Sequence, residues 1–199
     1  MSAARSMTSD PGSRVMVRLD RLARHSAEPV ALTRLYLTPE HRAAADLIAD
    51  WMREAGLAVR FDAVGNVIGR RDGRTPDLPA LLLGSHIDTV RNAGKYDGAL
   101  GVVAAIEAVD ALALRNVELP YAIEIIAFGD EEGVRFPATL TGSRAIAGTL
   151  THDALDATDS DGIAVRDALT TFAAAPLADL ASLAYRPDQV LGYCELHIE

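Results

Sequence analysis

Two histidines and a set of carboxylates stand at positions where they could do hydrolytic chemistry. The first group is Gly84-Ser85-His86-Ile87-Asp88, followed by a loop that contains Gly94-Lys95-Tyr96-Asp97-Gly98. In an extended chain residues i and i+2 share a face. The Asp88 carboxylate can therefore accept a hydrogen bond from the far nitrogen of His86 and fix its tautomer for metal binding. Taken alone, an H-x-D equally describes a loop histidine satisfied by a nearby acid, and Asp97 equally describes a turn residue. The second group, Asp130-Glu131-Glu132-Gly133, follows an apolar run directly. Three consecutive acids commonly form a solvated charge run. Crowded at the strand ends of one sheet, however, they repel strongly unless a cation offsets them. The third group is His197, with Glu195 and Glu199 on the polar face of an alternating segment, and alone it reads as an edge histidine. Together the three groups supply two histidines, several carboxylates and no thiolate. Such a donor set suits Zn²⁺ or Mn²⁺, can serve paired ions, and points to hydrolysis. Asp97, in its Gly-flanked loop, could bridge two ions through its two carboxylate oxygens.

Bringing these groups together takes strands that end on one edge of a sheet. Leu81-Leu82-Leu83 is a continuous apolar run, as in a strand buried on both faces, and Tyr121 to Phe128 is again mostly apolar and ends at Gly129. A helix over Ala99 to Leu114 lies between them. Strand, helix, strand in this order predicts a βαβ unit whose strand C-termini share an edge, where such sheets place their sites. Upstream, Val17, Leu19 and Leu22 give a short helix. Thr38 is an N-cap before Pro39, and Ala44, Leu47, Ile48, Trp51, Met52 and Ala55 repeat at helical spacing up to Gly56. Leu57, Val59 and Phe61, a Val64-Gly65-Asn66 turn and Val67 to Arg70 predict a half-exposed antiparallel hairpin. Downstream come short helical stretches around Arg144 to Ala147, Ile163 to Phe172 and Leu177 to Tyr185. Gln189 to Glu199 reads as extended, with Cys194 as a small buried hydrophobe on the face opposite His197. The fold class is α/β, with a mixed, mostly parallel central sheet flanked by helices.

Composition narrows the function classes. With 28 acids against 19 bases and a net charge of -9 over 199 residues, the chain lacks the basic face that nucleic acid requires. No apolar run approaches the roughly 20 residues of a membrane-spanning helix. Residues 1–13 read as a disordered lead-in without a secretory h-region, leaving 14–199 as one domain. Cys194 is the only cysteine, which excludes an internal disulfide and suits a reducing, cytoplasmic setting. The glycines of Gly94 to Gly101 match neither nucleotide-binding fingerprint, and no G-x-S-x-G elbow is present. His25, His41 and His152 read as surface residues.

The stretches Gly84 to Thr89, Lys95 to Val102, Phe128 to Phe136, Gly142-Ser143-Arg144 and Glu195 to Glu199, with the Asp62 to Asn66 turn, resemble a known family. It is the hydantoinase/carbamoylase branch of the dinuclear-metal aminoacylase and carboxypeptidase family. That branch contains allantoate amidohydrolases, N-carbamoyl-L-amino-acid hydrolases and ureidopropionases, and the match runs from about Val15 to the last residue. The resemblance implies a dinuclear-zinc exopeptidase-like catalytic domain holding two divalent ions, Zn or Mn. It implies that His86, Asp97 and His197 hold one ion, that Asp97 bridges to a second ion also held by Glu132, that Glu131 is the general base and that Asp88 supports His86. The expected substrate is a small ureido or carbamoyl compound. The wording around Gly129 to Pro137 and Gly142 to Arg144 resembles the allantoate members more than the general carbamoylases, which are the alternative.

The family's catalytic domain also draws a second-metal histidine from a late segment and interrupts itself with a lid and dimerisation domain. Both would lie beyond Glu199, so the chain reads as the N-terminal part of an incomplete catalytic domain whose full-length relatives are homodimers. A second expectation follows, that the 199-residue product alone is an inactive metal-binding fragment prone to aggregate along an exposed sheet edge.

Overall fold

The computed structural model describes residues 10–172, 176 and 179–198. Helix α1 (Pro11–Leu22) opens on Asp10, whose carboxylate accepts the Ser13 N–H at 3.0 Å. It begins inside the expected lead-in, because Asp10-Pro11 is a ready N-cap and first turn; the rest of that lead-in, 1–9, lies outside the described residues. Helix α2 (Pro39–Glu54) starts as the Thr38-Pro39 signal predicts, with Thr38 Oγ1 accepting the His41 N–H, and buries Leu47, Ile48, Trp51 and Met52.

Strands β1 (Ala58–Phe61) and β2 (Val67–Arg71) form the predicted antiparallel hairpin. β2 is more buried than expected at Val67, Ile68 and Gly69. The reason is its place in the sheet, between β1 and the strand β4 (Ala122–Phe128). Strand β3 (Ala80–His86), helix α3 (Ala99–Leu114) and β4 make the βαβ unit, with β3 and β4 paired in parallel from Ala80↔Ala122 to His86↔Phe128. Strand β5 (Val190–Cys194) pairs in parallel with the other edge of β3. The order β1-β2-β4-β3-β5 is a mixed sheet.

One sheet face, through Val67, Ile123, Ile125 and Ala127, packs on the apolar stripes of α1, α2 and α3. The other, through Ile68, Leu82, Ile126 and Phe128, packs on Ile146, Tyr185 and Val190. β4 is buried along its whole length, so each of its isoleucines contributes about 1.5–3 kcal/mol of apolar burial. Two charges enter this interior with partners. Glu107 of α3 pairs with Arg14 at 2.9 Å and Arg18 at 3.0 Å of α1, and Glu124 of β4 pairs with Arg70 at 3.0 Å and accepts from the Tyr185 hydroxyl.

The last third is short helices: α4 (Thr141–Ile146), α5 (His152–Asp156), α6 (Val165–Phe172) and a 3₁₀ turn at Leu180–Leu183. His152 opens α5 and is exposed, as expected of a surface residue. The expected helix from Ile163 starts two residues later, because Ile163 is engaged in a turn in which its N–H bonds the Asp159 carboxylate. The predicted stretch from Leu177 begins outside the described residues. Cys194 is exposed, contrary to expectation, since β5 is the edge strand and no described element covers it. Among the described residues no helix is long and apolar enough to cross a membrane.

Candidate metal centre

The strand order explains the site. β3 lies between β4 and β5, so His86 at its C-terminus has the acids after β4 on one side and the segment after β5 on the other. His86 is buried, and its Nδ1 lies 3.0 Å from the Asp88 backbone carbonyl. A carbonyl only accepts, so Nδ1 carries the proton and Nε2 presents a lone pair. That lone pair faces the Asp97 carboxylate at 3.4 Å and His197 Nε2 at 3.2 Å, and His197 Nε2 is itself 3.4 Å from Asp97. His86, Asp97 and His197 thus converge with ligand atoms within 4.8 Å of one another.

Glu131 and Glu132 form a second such group with His86, Glu131 Oε2 lying 3.9 Å from Nε2. The two groups meet at His86, at the end of β3 between the other two segments, whereas the resemblance gives the bridging role to Asp97. Burial pushes the Glu132 carboxyl up, and the Asp97, Glu131 and Asp88 carboxylates add to this while His86 opposes it. Glu132 Oε1 is shut off from solvent and has no hydrogen-bond partner among the described residues. A buried oxygen left unpaired costs free energy that a bound cation would offset, and the surrounding imidazole and carboxylate donors suit Zn²⁺ or Mn²⁺. The residues fit a divalent ion.

Asp88 supports both sides, although not as the spacing suggested. Its backbone carbonyl takes the His86 Nδ1 bond, with the carboxylate 3.8 Å away. The carboxylate instead accepts the N–H groups of Glu131 at 3.1 Å and Glu132 at 3.3 Å. β3 ends at His86, so the alternation of a paired strand no longer dictates where the Asp88 carboxylate points. Burial pushes the Asp88 carboxyl up, and His86 and these N–H groups hold it down.

Three supporting residues escaped the sequence reading. Arg34 is fully buried, and its Nε donates to the Ile87 carbonyl at 2.7 Å, pinning the turn between His86 and Asp88. A lone arginine in the run Leu32-Thr33-Arg34-Leu35-Tyr36-Leu37 was the available signal. Asp130, at a positive φ of 64°, is buried with its carboxyl pushed up to about 7 by desolvation, and Thr141 Oγ1 donates to it. His41, expected at the surface, is buried at the foot of β4, stacked on Phe172 with ring centroids 5.1 Å apart. Two glycines shape the ligand loop. A Cβ on Gly98, which has a φ of +59°, would fall 2.5 Å from the His86 ring, and one on Gly101 would fall 2.2 Å from the Leu196 carbonyl oxygen.

A cleft of about 630 Å³ opens beside these groups, with Phe128, Leu140 and Ile146 on its walls and His86, Glu131 and His197 reaching into it.

Residues 66–182 match the model of the M28 family of peptidases. The chain belongs to peptidase family M28. Within that family it is 45% identical to the N-carbamoyl-L-amino acid amidohydrolase of Geobacillus stearothermophilus, over 94% of this chain and 46% of that protein. It is 44% identical to the allantoate deiminase of Arabidopsis thaliana, over 92% of this chain and 36% of that one. The crystal structure of a hydantoinase/carbamoylase family amidase from Burkholderia ambifaria superposes with a TM-score of 0.86 at 36% identity, over 94% of this chain and 45% of that one. The resemblance and the α/β fold class read from the sequence are therefore borne out. This M28 chain spans less than half the length of these relatives.

Proposed function

We propose that the chain forms part of the active site of a metal-dependent amidohydrolase that cleaves the ureido or carbamoyl C–N bond of allantoate. The observation that carries the reading is the convergence of His86, Asp97 and His197, with Glu131 and Glu132 across from them, at the mouth of the cleft. His86, Asp97 and His197 would hold one ion, Glu132 would hold a second, and Asp97 would bridge them. Divalent ions in such a site supply Lewis acidity toward the substrate carbonyl and toward water. Glu131, more exposed than Asp88 and Asp97, takes a proton from the attacking water and returns it to the leaving nitrogen. The hydrogen bonds from the Glu131 and Glu132 N–H groups to Asp88 fix the backbone that carries both acids. Phe128, Leu140 and Ile146 give the cleft an apolar wall beside these groups.

N-carbamoyl-L-amino acids are the second substrate reading, supported by the amidohydrolases of that name among the relatives. Ammonia and product release from both substrates, measured on the full protein encoded by the gene and loaded with Zn²⁺ or Mn²⁺, separates the two. Preference for N-carbamoyl amino acids would sink the allantoate choice. Glu131→Gln is expected to lower kcat by about 10²- to 10⁴-fold with metal content unchanged. For the 199-residue chain alone we expect one ion bound more tightly than a second, and negligible turnover; efficient hydrolysis by the purified chain would refute this. A homodimer is the assembly that the resemblance supports for the full protein, and light scattering tests it.

A further inference from the structure

β5 ends its ladder with β3 at the Leu83–Cys194 pair, three residues before His197. The strand therefore cannot by itself hold that imidazole against His86, and other contacts must. Two are present. The Glu195 carboxylate accepts from Ser85 Oγ at 2.7 Å through one oxygen and from the Tyr193 hydroxyl at 2.7 Å through the other. Ser85 is fully buried and immediately precedes His86. Next to Glu195, the Leu196 carbonyl rests directly on Gly101 at the start of α3, which would collide with any Cβ there.

We infer that Glu195 is a positioning residue that ties the segment carrying His197 to the segment carrying His86, and so sets the separation of the two imidazoles. The inference rests on the metal-centre reading above. Glu195 itself is not offered as a ligand: both of its oxygens are engaged, and it belongs to neither ligand group. Ordinarily, partners that orient metal-binding histidines change metal affinity by about 10- to 100-fold when removed.

The test is Zn²⁺ binding by the 199-residue chain, measured by competition with a chromophoric chelator, alongside the visible spectrum of the Co²⁺ form. Glu195→Ala is expected to weaken Zn²⁺ binding about 10- to 100-fold and to change the Co²⁺ band. Glu195→Gln, which can still accept from Ser85 and meet Tyr193, is expected to restore most of the affinity. Equal affinity in wild type and Glu195→Ala would overturn the inference alone. A Gln variant as weak as the Ala variant would overturn positioning through these hydrogen bonds. Failure of the wild-type chain to bind Zn²⁺ would overturn the metal reading, and the inference with it. If circular dichroism shows Glu195→Ala unfolded, Ser85→Ala removes one of the two bonds; undiminished Zn²⁺ affinity in that variant would count against the inference.

Discussion

His41 sits in the first turn of α2, where its Nδ1 accepts the Leu37 N–H at 3.2 Å and its Nε2 is buried without a partner among the described residues. Desolvation first, then Arg34 and Arg135, lower its pKa from 6.5 to about 3. Between these values the unfolded chain holds the extra proton, so this residue makes stability fall as pH falls, by about 1.4 kcal/mol per pH unit. Asp62, pushed up to about 6, and Asp130, pushed up to about 7, work in the opposite sense over the same range. The His41 contribution is therefore read as a difference. His41→Gln should lose less stability than wild type between pH 6 and pH 4 in urea titrations, and parallel pH profiles would contradict the assignment. Gly98→Ala should cost about 1–3 kcal/mol of backbone strain and, by displacing the His86 ring, weaken Zn²⁺ binding, as chelator competition would show. His41 was misread because an exposed-looking helix start hides which face the helix turns inward. The candidate ligands were legible from their places, His86 closing one apolar strand, Glu131 and Glu132 just after another and Asp97 in a Gly-flanked loop, but the partner of the His86 Nδ1 was not, because backbone carbonyls leave no trace in side-chain spacing.

At the level of elements, the βαβ unit was readable from Leu81-Leu82-Leu83 and Tyr121 to Phe128, whose burial calls for mostly apolar residues. The strand order was not. Periodicity says which residues face the core, yet nothing local tells β5 to pair with the outer edge of β3, or β2 to lie beside β4. Glu124 marks this gap, an acid in the middle of an apolar strand. It becomes intelligible only once Arg70 from the neighbouring β2 and Tyr185 from the region before β5 are seen to meet it. Because the residue is buried and its bonds are charge-assisted, Glu124→Gln should destabilise the fold by about 1.5–3 kcal/mol in denaturant titrations. A change within experimental error would show the tie to be energetically idle.

For the molecule as a whole, the net charge of -9 is unevenly spent, with Asp88, Asp97, Glu131 and Glu132 gathered around one buried imidazole. Anything that binds the folded state and not the unfolded one stabilises it by mass action. Zn²⁺ at about 100 times its Kd should therefore add about 2.7 kcal/mol, and a chelator should reverse the gain in a thermal melt. An unchanged Tm would argue against a metal centre. His86 and His197 stand 111 positions apart in the chain, and the second arrives only when the edge strand β5 docks beside β3. Contacts of such long sequence separation form late, because closing the loop costs entropy before the contact rewards it. The histidine pair is thus a clock for folding: in a stopped-flow refolding experiment, tight metal capture would trail the collapse of the βαβ unit and report the arrival of the last strand.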